Sequence, residues 1–515
     1  MAAFRAATVI GVLQCLVVLL LESYGTSSHT YTEARAGLVG TLTRFLALNY
    51  IIVLLYSVWL YPFFISPLRK LPRPKWFIAR VIRNRFVLQE ALGEFIREIA
   101  EETPNDGIID FRELFGQRLL LTKTDLIAEI LVHHPYDFVK PQNVRDFMRH
   151  FLGDGLIITE GEKHKFLRKN TDQAFGFRQI RDLYPIMWRK ASDLVNQIDD
   201  VVCQQEDEDQ RIEMMEWASK VTMDVIGIAG LGHDFNTLAE PDHPLVKSYE
   251  AVTADDMLLY FLMSMWFSFE FVQKLPWGKN ALFKENTVRM KDICHTLIGE
   301  KKDALRQNPD LQVDILSHLI RTEKFSDDEL ADQLLTFLVA GHDTTSASLA
   351  WACYLLAQNP EWKESLQNEM ESSLPQITDG GNWADDNGIA RLLESLPVLN
   401  GVLNETLRLF PTVPLTTRVA VRDTTVGGWP IQKDTEVLIS SWLINRSPDL
   451  WGGKDCVGQN FAKAELRCLI AAMTSRFDWE LAMDSKDVVP AGAITIRPKN
   501  GLHLKVSKIS AQKEK

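Results

Sequence analysis

Residues 45–65 of this chain, FLALNYIIVLLYSVWLYPFFI, form a stretch without a single charged side chain. A run of 21 residues is long enough to cross the hydrocarbon core of a bilayer as a helix, and its tyrosine and tryptophan residues lie toward one end, as at a membrane interface. The alternative is a buried core helix, but no amphipathic face can be drawn on the run. The sequence therefore predicts a membrane span.

A shorter apolar run precedes it, from Val9 to Leu21 behind Arg5. This run is short for a span and contains Gln14, so a signal peptide and an imperfect anchor are both open. No small-residue cleavage site follows Leu21, which favours the anchor. We therefore predict that residues 1–66 form a membrane anchor.

Basic residues and prolines follow the long apolar run directly, in SPLRKLPRPKW. Because lysine and arginine concentrate on the cytosolic side of membrane spans, this flank predicts that the rest of the chain lies in the cytosol. The three prolines within residues 67–76 predict a stiff, extended hinge. Residues 77–515 are then predicted to form one cytosolic domain.

The composition of the chain is that of an ordinary globular protein. Apolar residues make up 46% of it and charged residues 24%. The net charge of −12 argues against nucleic acid as a partner, because nucleic-acid binders present a basic face. The cysteines show no CxxC pair or paired spacing, which predicts reduced thiols and neither disulfides nor a zinc site; they stand at 15, 203, 294, 353, 456 and 468.

Helical patterns dominate after residue 76, and the strand signals are short. These signals lie near residues 106, 424 and 493, and the last contains Asn500-Gly501 between alternating apolar residues, which predicts a hairpin. The stretch 374–388 is rich in Gly, Asp and Asn and is predicted to be an exposed loop. The predicted fold class is mainly α with small β-sheets.

The longest predicted helix begins after Ser326 and ends before Pro360. Ser326 and Glu329 have the spacing of a capping box. The helix interior contains AGHDTTSAS, although glycine there costs about 1 kcal/mol relative to alanine and hydroxyl side chains compete for the backbone. Gly341 leaves room for a flat group to approach, and the Thr344 hydroxyl can act as a proton relay. The alternative is a locally bent helix with solvated hydroxyl groups.

A charge pair is predicted in the helix that ends before Pro411. Glu405 and Arg408 are three residues apart and so share one helical face. An exposed pair of this kind contributes little stability, but the apolar surroundings predict burial and a structural clamp. Arg418, on the following strand, is available for an anionic ligand.

Cys456 lies between a glycine-rich turn and a predicted helix, in WGGKDCVGQNFAKAEL. Backbone N–H groups and the positive end of a helix dipole lower the pKa of a cysteine in this position and favour the thiolate that binds a metal. A lone cysteine is more often a small buried apolar residue. The spacing of Gly452, Cys456, Gly458, Ala462 and Glu465 makes the metal ligand the more specific interpretation.

In this order the motifs resemble those of the cytochrome P-450 superfamily of haem-thiolate monooxygenases, in its microsomal form. The resemblance implies a cytochrome P-450 fold on an N-terminal membrane anchor. AGHDTT resembles the oxygen-activating groove, with Asp343 and Thr344 as acid and alcohol. Glu405 and Arg408 match the Glu-x-x-Arg pair, and Cys456 matches the proximal thiolate ligand of the haem iron.

The resemblance also implies residues that hold haem b. Arg168, in GDGLIITEGEKHKFLRKNTDQAF, matches a basic residue that binds a propionate, with His164 where tryptophan is more usual. Arg418 matches a second propionate ligand. Gly341 and Gly458 match glycines beside the cofactor.

The chain departs from the family after SWLINRSPDLWG. The family carries there a meander of a few dozen residues, whose Pro-Glu-Arg segment completes the Glu-x-x-Arg clamp, and then a phenylalanine that begins the haem loop. Here only three residues separate Gly452 from Cys456, Asp449 takes the place of the phenylalanine, and Lys454 that of an arginine. A buried pair without its third partner is incompletely satisfied. We interpret the gap as a lost exon or a mis-spliced chain.

The resemblance implies oxidation of an apolar small molecule by dioxygen, with electrons from an NADPH-cytochrome reductase at the endoplasmic reticulum membrane. Reductase docking is expected near Lys454, Lys463 and Arg467, which can equally be a solvated face. Residues 255–271 predict either a substrate-pocket lining or a plain buried helix. A specialised metabolite and a fatty acid are both reasonable substrates.

Two alternatives to the monooxygenase remain open. One is a haem-thiolate isomerase or peroxygenase, but the presence of both Asp343 and Thr344 argues against it. The other is a membrane-anchored pseudoenzyme that binds no haem, and the missing meander supports it.

Overall fold

The computed structural model describes residues 14, 44–75, 80, 92–113, 116–204, 210–240, 242–254, 257–267, 269–308, 314–374, 388–447, 459–492 and 494–509. Over these residues the chain is mainly α-helical with small β-sheets, as predicted. It divides into two compact units. The first comprises residues 1–83, 99–138 and 418–438, and the second comprises residues 84–98, 139–417 and 439–515. The predicted boundaries of anchor, hinge and domain stay predictions.

The helices in the described part of the chain range from single turns to spans of 32 residues. They are α1 Arg44–Ile65, α2 Leu92–Glu102, α3 Thr124–Ala128, α4 Gln142–Leu152, α5 Gly161–Thr171, α6 Phe177–Gln204, α7 Met214–Ile226, α8 Pro244–Thr253, α9 Leu258–Phe267, α10 Phe269–Gln273, α11 Gly278–Gln307, α12 Ile315–Arg321, α13 Asp327–Gln358, α14 Pro360–Ser373, α15 Gly388–Ser395, α16 Pro397–Leu409, α17 Ser441–Arg446 and α18 Gln459–Arg476.

The strands are short and form four sheets among the described residues. They are β1 Ile108–Glu113, β2 Gly116–Leu121, β3 Phe138–Val139, β4 Arg211–Glu213, β5 Leu415–Ala420, β6 Thr424–Val426, β7 Trp429–Ile431, β8 Glu436–Ser440, β9 Phe477–Leu481, β10 Pro490–Ala491, β11 Arg497–Pro498 and β12 His503–Lys508. The largest sheet has the order β1-β2-β8-β5-β3, and a three-stranded sheet has the order β4-β12-β9. The pairs β6-β7 and β10-β11 complete the set.

The long apolar run forms α1, whose last ten residues, Tyr56–Ile65, are a π-helix. The side chains of α1 are mostly exposed, and its length and composition are those of a membrane span. The prediction of an extended hinge is wrong for its first residues, because Pro67–Lys70 form a 3₁₀ turn. Ser66 caps this turn by accepting a hydrogen bond from the Leu68 N–H, and the Leu68 side chain is buried.

Helix α13 runs through the core of the second unit with the predicted bounds. Its capping box is complete: the Ser326 hydroxyl accepts from the Glu329 N–H, and the Glu329 carboxylate accepts from the Ser326 N–H. Helix α13 packs against α7 and α11 on its sides and against α18, which in turn packs on α6. On α18 the side chains of Phe461, Ala464, Cys468 and Ala472 are buried.

The predicted C-terminal hairpin is wrong in its strand pairing. Gly501 has the expected turn conformation, with a φ of +76°. However, β11 pairs with β10, and β12 pairs with β9 and β4. The Asn-Gly turn therefore connects two separate sheets, because longer-range strand partners outcompete the local pairing.

Several described side chains of residues 257–267 and 269–271 are buried in the core, whereas Leu259 and Phe271 are exposed. Tyr260 and Phe269 are buried, and the Phe147 ring of α4 meets Phe261 edge-on at 4.8 Å and Phe283 of α11 at 5.7 Å between centroids. This aromatic cluster fits the alternative of a buried helix for these side chains. The predicted loop at 374–388 falls almost entirely outside the described residues.

Candidate functional site

The middle of α13 is more exposed to solvent than the helical segments on either side of it. Residues 330–338 and 345–353 are buried without exception, whereas Ala340 is exposed and Gly341 and Thr344 are only half-buried. A helix segment that opens between two buried segments presents a short, polar-edged surface to a cavity or a ligand. The sequence AGHDTT therefore lies at an accessible stretch between the buried residues 330–338 and 345–353 of α13.

Gly341 allows α13 and α7 to approach closely. A Cβ atom on this glycine would lie 2.8 Å from Cδ1 and 3.1 Å from Cγ1 of Ile226. These distances are shorter than ordinary carbon contacts of about 3.5–4.0 Å. Helix packing is thus a sufficient reason for a glycine here, and its predicted role beside the cofactor stays a prediction.

Asp343 and Thr344 share the open segment but make separate hydrogen bonds. The carboxylate of Asp343 accepts a hydrogen bond from the hydroxyl of Thr495, in the turn before β11. The Thr344 hydroxyl donates to the Ala340 carbonyl at 2.6 Å. The acid is therefore oriented by a residue 152 positions away, which the sequence did not indicate.

His342 occupies the buried face of the same turn. Its Nδ1 lies 2.9 Å from the Thr222 hydroxyl and its Nε2 lies 3.3 Å from that of Ser219, while the Tyr249 ring meets it edge-on. Burial lowers the pKa of His342 to about 4. The imidazole is therefore neutral near pH 7 and helps to fix α13 against α7.

The segment that leads to Arg168 is fixed to α13. The Asp154 N–H donates to the Asp332 carboxylate at 2.8 Å, and the Leu156 N–H donates to the Gln333 side chain at 3.1 Å. Glycines make this approach possible, since a Cβ on Gly155 would overlap the Thr336 hydroxyl. Arg168 itself, on α5, pairs with Asp172 at 3.3 Å.

Phe175 connects three of the elements that carry predicted site residues. Its ring lies 5.3 Å from that of Phe337 on α13 and 6.4 Å from that of Phe461 on α18, edge-on in both cases. Edge-to-face pairs at these distances are favourable. The end of the Arg168 segment, the open helix and the helix after Cys456 thus share one aromatic contact.

The predicted charge pair forms on α16. The Arg408 guanidinium contacts both Glu405 carboxylate oxygens, with Nε 2.8 Å from Oε2, and it donates through Nη1 to the Asn445 carbonyl at 2.8 Å. This hydrogen bonding lowers the pKa of Glu405. The expectation of burial is wrong, because 44% of the Glu405 side chain is exposed. Water can therefore satisfy the carboxylate, and the Asn445 carbonyl is a third partner.

Sequence reasoning missed a cation beside this pair. The Arg446 guanidinium stacks on the Trp442 ring at 3.5 Å, and the Trp442 indole N–H donates to Glu94 at 2.9 Å. Burial lowers the pKa of Arg446 to about 10. Trp442, four residues before Arg446, was the sequence signal for this stacking, since arginine stacks preferentially on aromatic rings.

Several predicted residues are not brought together within the described structure. Cys456 and Gly458 lie outside the described residues. Arg418 lies half-buried on β5, in the first unit. Arg467 is half-buried and donates to Asn400 at 2.7 Å and to the Tyr184 hydroxyl at 3.1 Å, and its part in reductase docking stays a prediction.

The helix after Cys456 has an unusual buried acid. Glu465 on α18 is 0% exposed, and neither carboxyl oxygen has a hydrogen-bond partner among the residues the structure describes. Burial raises the pKa of Glu465 well above its usual range. Burial therefore favours the protonated, uncharged form of this side chain.

The open surface of α13 combines small residues with a polar pair. Ala340 is exposed, Gly341 is half-buried against Ile226, and Asp343 and Thr344 add a carboxylate and a hydroxyl. The small residue Ala340 leaves room for a flat group, and the polar pair is suited to proton transfer. These residue types are compatible with a haem cofactor, whose place here stays a prediction.

Comparisons with known proteins indicate one family. The sequence profile described as Cytochrome P-450 matches residues 70–453, ending three residues before Cys456. The chain is 35% identical over 500 residues to cytochrome P-450 monooxygenase sphH of Aspergillus fumigatus, covering 88% of this chain and 91% of that protein. It is 33% identical over 501 residues to cytochrome P-450 monooxygenase ptmK of Penicillium ochrochloron, covering 88% and 96%.

Proposed function

The chain belongs to the cytochrome P-450 family, and from that membership we propose that it oxidises an apolar small molecule, a specialised metabolite. As a family member it is an oxygen-incorporating oxidoreductase whose cofactor is haem with a thiolate ligand on the iron. The single observation that carries the proposal is the open centre of α13, where Asp343 and Thr344 stand between two buried segments of the helix.

The residues proposed to hold haem b are those that the family pattern assigns. Cys456 would ligate the iron, Arg168 and Arg418 would bind the propionates, and Gly341 and Gly458 would lie beside the ring. The chemistry supplied by bound haem is activation of dioxygen, with the thiolate ligand favouring O–O cleavage.

The protein's own side chains would manage protons and orientation. Thr344, whose hydroxyl donates to Ala340, is proposed to hold a proton at its oxygen, and Asp343 to exchange it with water. Thr495 positions the Asp343 carboxylate by its hydrogen bond. Glu405 and Arg408 would position α16 relative to α17 through the Asn445 carbonyl.

We further propose that α1 anchors the enzyme in the endoplasmic reticulum membrane with the catalytic domain in the cytosol. The support is an exposed apolar helix of 22 residues followed by Arg69 and Lys70. A membrane-bound NADPH-dependent reductase would then supply electrons from the same surface. Requirement for this reductase separates the proposal from an isomerase or peroxygenase.

The shortened region before Cys456 is proposed to be a deletion relative to working family members. The alignment with sphH spans 500 positions but covers only 88% of this 515-residue chain, so several dozen aligned positions have no counterpart here. The Arg446 Nη1 atom is buried and has no partner among the described residues, which fits the loss of a neighbouring segment.

The test is the carbon monoxide difference spectrum of the reduced, membrane-expressed chain. A haem-competent form should show a thiolate-type Soret band, and Cys456→Ala should abolish it. Cys468→Ala is the matched control, because this thiol is buried on α18 and should leave the band intact.

Two results would decide against parts of the proposal. A thiolate-type band that survives Cys456→Ala would exclude this cysteine as the ligand. A band that appears only after a meander from a full transcript is restored would mean that this shortened chain is inactive, while the family assignment of its site residues stands.

A further inference from the structure

A groove of about 440 Å³ lies where α1 meets the β6-β7 hairpin in the first unit. One wall consists of the end of α1 and the following turn, with Ile65, Arg69 and Lys70. The other wall is the hairpin, with Trp429 and Pro430. Neither the oxidation chemistry nor the site on α13 uses this groove.

The hairpin wall is built by its turn. Gly427 and Gly428 have φ values of +57° and +77°, and Val426 pairs with Trp429. Two central residues with positive φ define a type I′ turn, which matches the twist of paired strands. The Tyr61 hydroxyl donates to the Gln432 side chain, so α1 and the end of the hairpin are linked directly. The groove is therefore a defined feature of the first unit.

The groove carries positive charge without a lining carboxylate. Arg69 donates from Nη1 to the Phe64 carbonyl at 2.8 Å, which holds its guanidinium at the rim, and Lys70 is exposed with no partner in the described part of the chain. The nearby acids are engaged: Asp110 pairs with Arg73 at 3.0 Å, and Glu129 accepts from the Gly427 N–H at 2.9 Å. An anion is the complementary ligand.

The position of the groove along α1 indicates where this anion comes from. Helix α1 has 22 residues, about the number that a helix needs to cross a hydrocarbon core. Along the chain, the exposed rings of Trp59, Phe63 and Phe64 come just before the residues of the groove. Arg69 and Lys70 line the groove itself. The groove would therefore lie at the level of the lipid headgroups.

We propose that this groove binds the headgroup of an anionic phospholipid from the bilayer in which α1 is anchored, an inference that rests on the proposed membrane anchoring. Lys70 and Arg69 contact the negatively charged headgroup, and Trp429 packs beside the glycerol region. Tryptophan suits this boundary because its ring is apolar and its N–H is polar.

The experiment titrates the full chain, purified in mild detergent, with phosphatidylserine or phosphatidylcholine and counts bound lipids by native mass spectrometry. Phosphatidylserine should bind about tenfold more tightly than phosphatidylcholine, and Lys70→Gln should weaken it by about fivefold, as expected for one cation near a lipid surface. Trp429→Ala should weaken both lipids. Lys123→Gln is the matched control, an exposed lysine of the same unit outside the groove.

Three outcomes would overturn the proposal. They are equal affinity for both lipids, an equal loss of phosphatidylserine affinity in the Lys70 and Lys123 variants, and displacement of phosphatidylserine by inorganic phosphate at the same concentration. The last would indicate a simple anion site.

Fractionation of the expressed chain separates the membrane-anchor proposal from the groove proposal. A chain found outside membranes refutes the anchor and the groove together, whereas a membrane-bound chain without lipid preference refutes the groove alone. Lys70→Gln should leave the carbon monoxide spectrum unchanged.

Discussion

Replacing Gly341 with alanine separates two reasons for a glycine at the open centre of α13. The added methyl group would lie 2.8 Å from Ile226 Cδ1, so Ile226 must move by several tenths of an ångström to restore ordinary contact. Overpacking of this kind costs about 1–3 kcal/mol. We expect about 1 kcal/mol, because the nearest atom is the flexible end of a side chain.

A second effect of Gly341→Ala on the free energy of unfolding has the opposite sign. Alanine is more favourable than glycine in a helix interior by about 1 kcal/mol. Gly341→Ala should therefore change the free energy of unfolding by close to zero. In an Ile226→Val background the Cδ1 atom is gone and only the 3.1 Å approach to Cγ1 remains, so the same substitution should then stabilise the protein by up to about 1 kcal/mol.

The assay is thermal unfolding of the full chain in detergent, followed by tryptophan fluorescence for all four members of the double-mutant cycle. A difference of 1 kcal/mol corresponds to about 1 °C in the midpoint for a chain of this size. Equal effects of Gly341→Ala in both backgrounds, within about 0.3 kcal/mol, would refute the packing argument. If the glycine also admits haem, the stabilised double variant should still lose the carbon monoxide band.

The other predictions concern the neighbours of this glycine. The pKa of His342 is lowered to about 4. Between pH 6.5 and 4 the unfolded chain therefore binds a proton that the folded chain does not bind. The free energy of unfolding should fall by up to about 3 kcal/mol as the pH decreases through this range. His342→Gln should flatten that part of the stability profile, and an unchanged profile would contradict the burial of a neutral imidazole. Thr344→Ala should uncouple NADPH consumption from product formation, and unchanged coupling would count against its proton-relay role. Thr495→Val should shift the pH dependence of turnover, because the Asp343 carboxylate loses a hydrogen-bond donor. The haem band should stay intact. An unaltered pH profile would show that Thr495 does not position the acid.

Local features of the structure followed from the sequence. The bounds of α13 and its capping box, the end of α16 and the pairing of Glu405 with Arg408 were all predicted. Each depends on residues within one or two helical turns, where spacing alone fixes which side chains meet. The hairpin at Asn500-Gly501 failed because strand pairing depends on distant partners.

The sequence by itself determined the family, the class of cofactor and the position of the open helix, because these are encoded in short motifs and in the apolar run of α1. Only the tertiary structure decided what surrounds those motifs. Ile226 against Gly341, Thr495 on Asp343 and Arg446 on Trp442 are side-chain contacts that no local spacing announces. The basic groove beside α1 exists only because a hairpin more than 350 residues later in the chain folds against it. Contacts between segments so far apart are set by the packing of the whole chain, in which many residue pairs compete for the same partners.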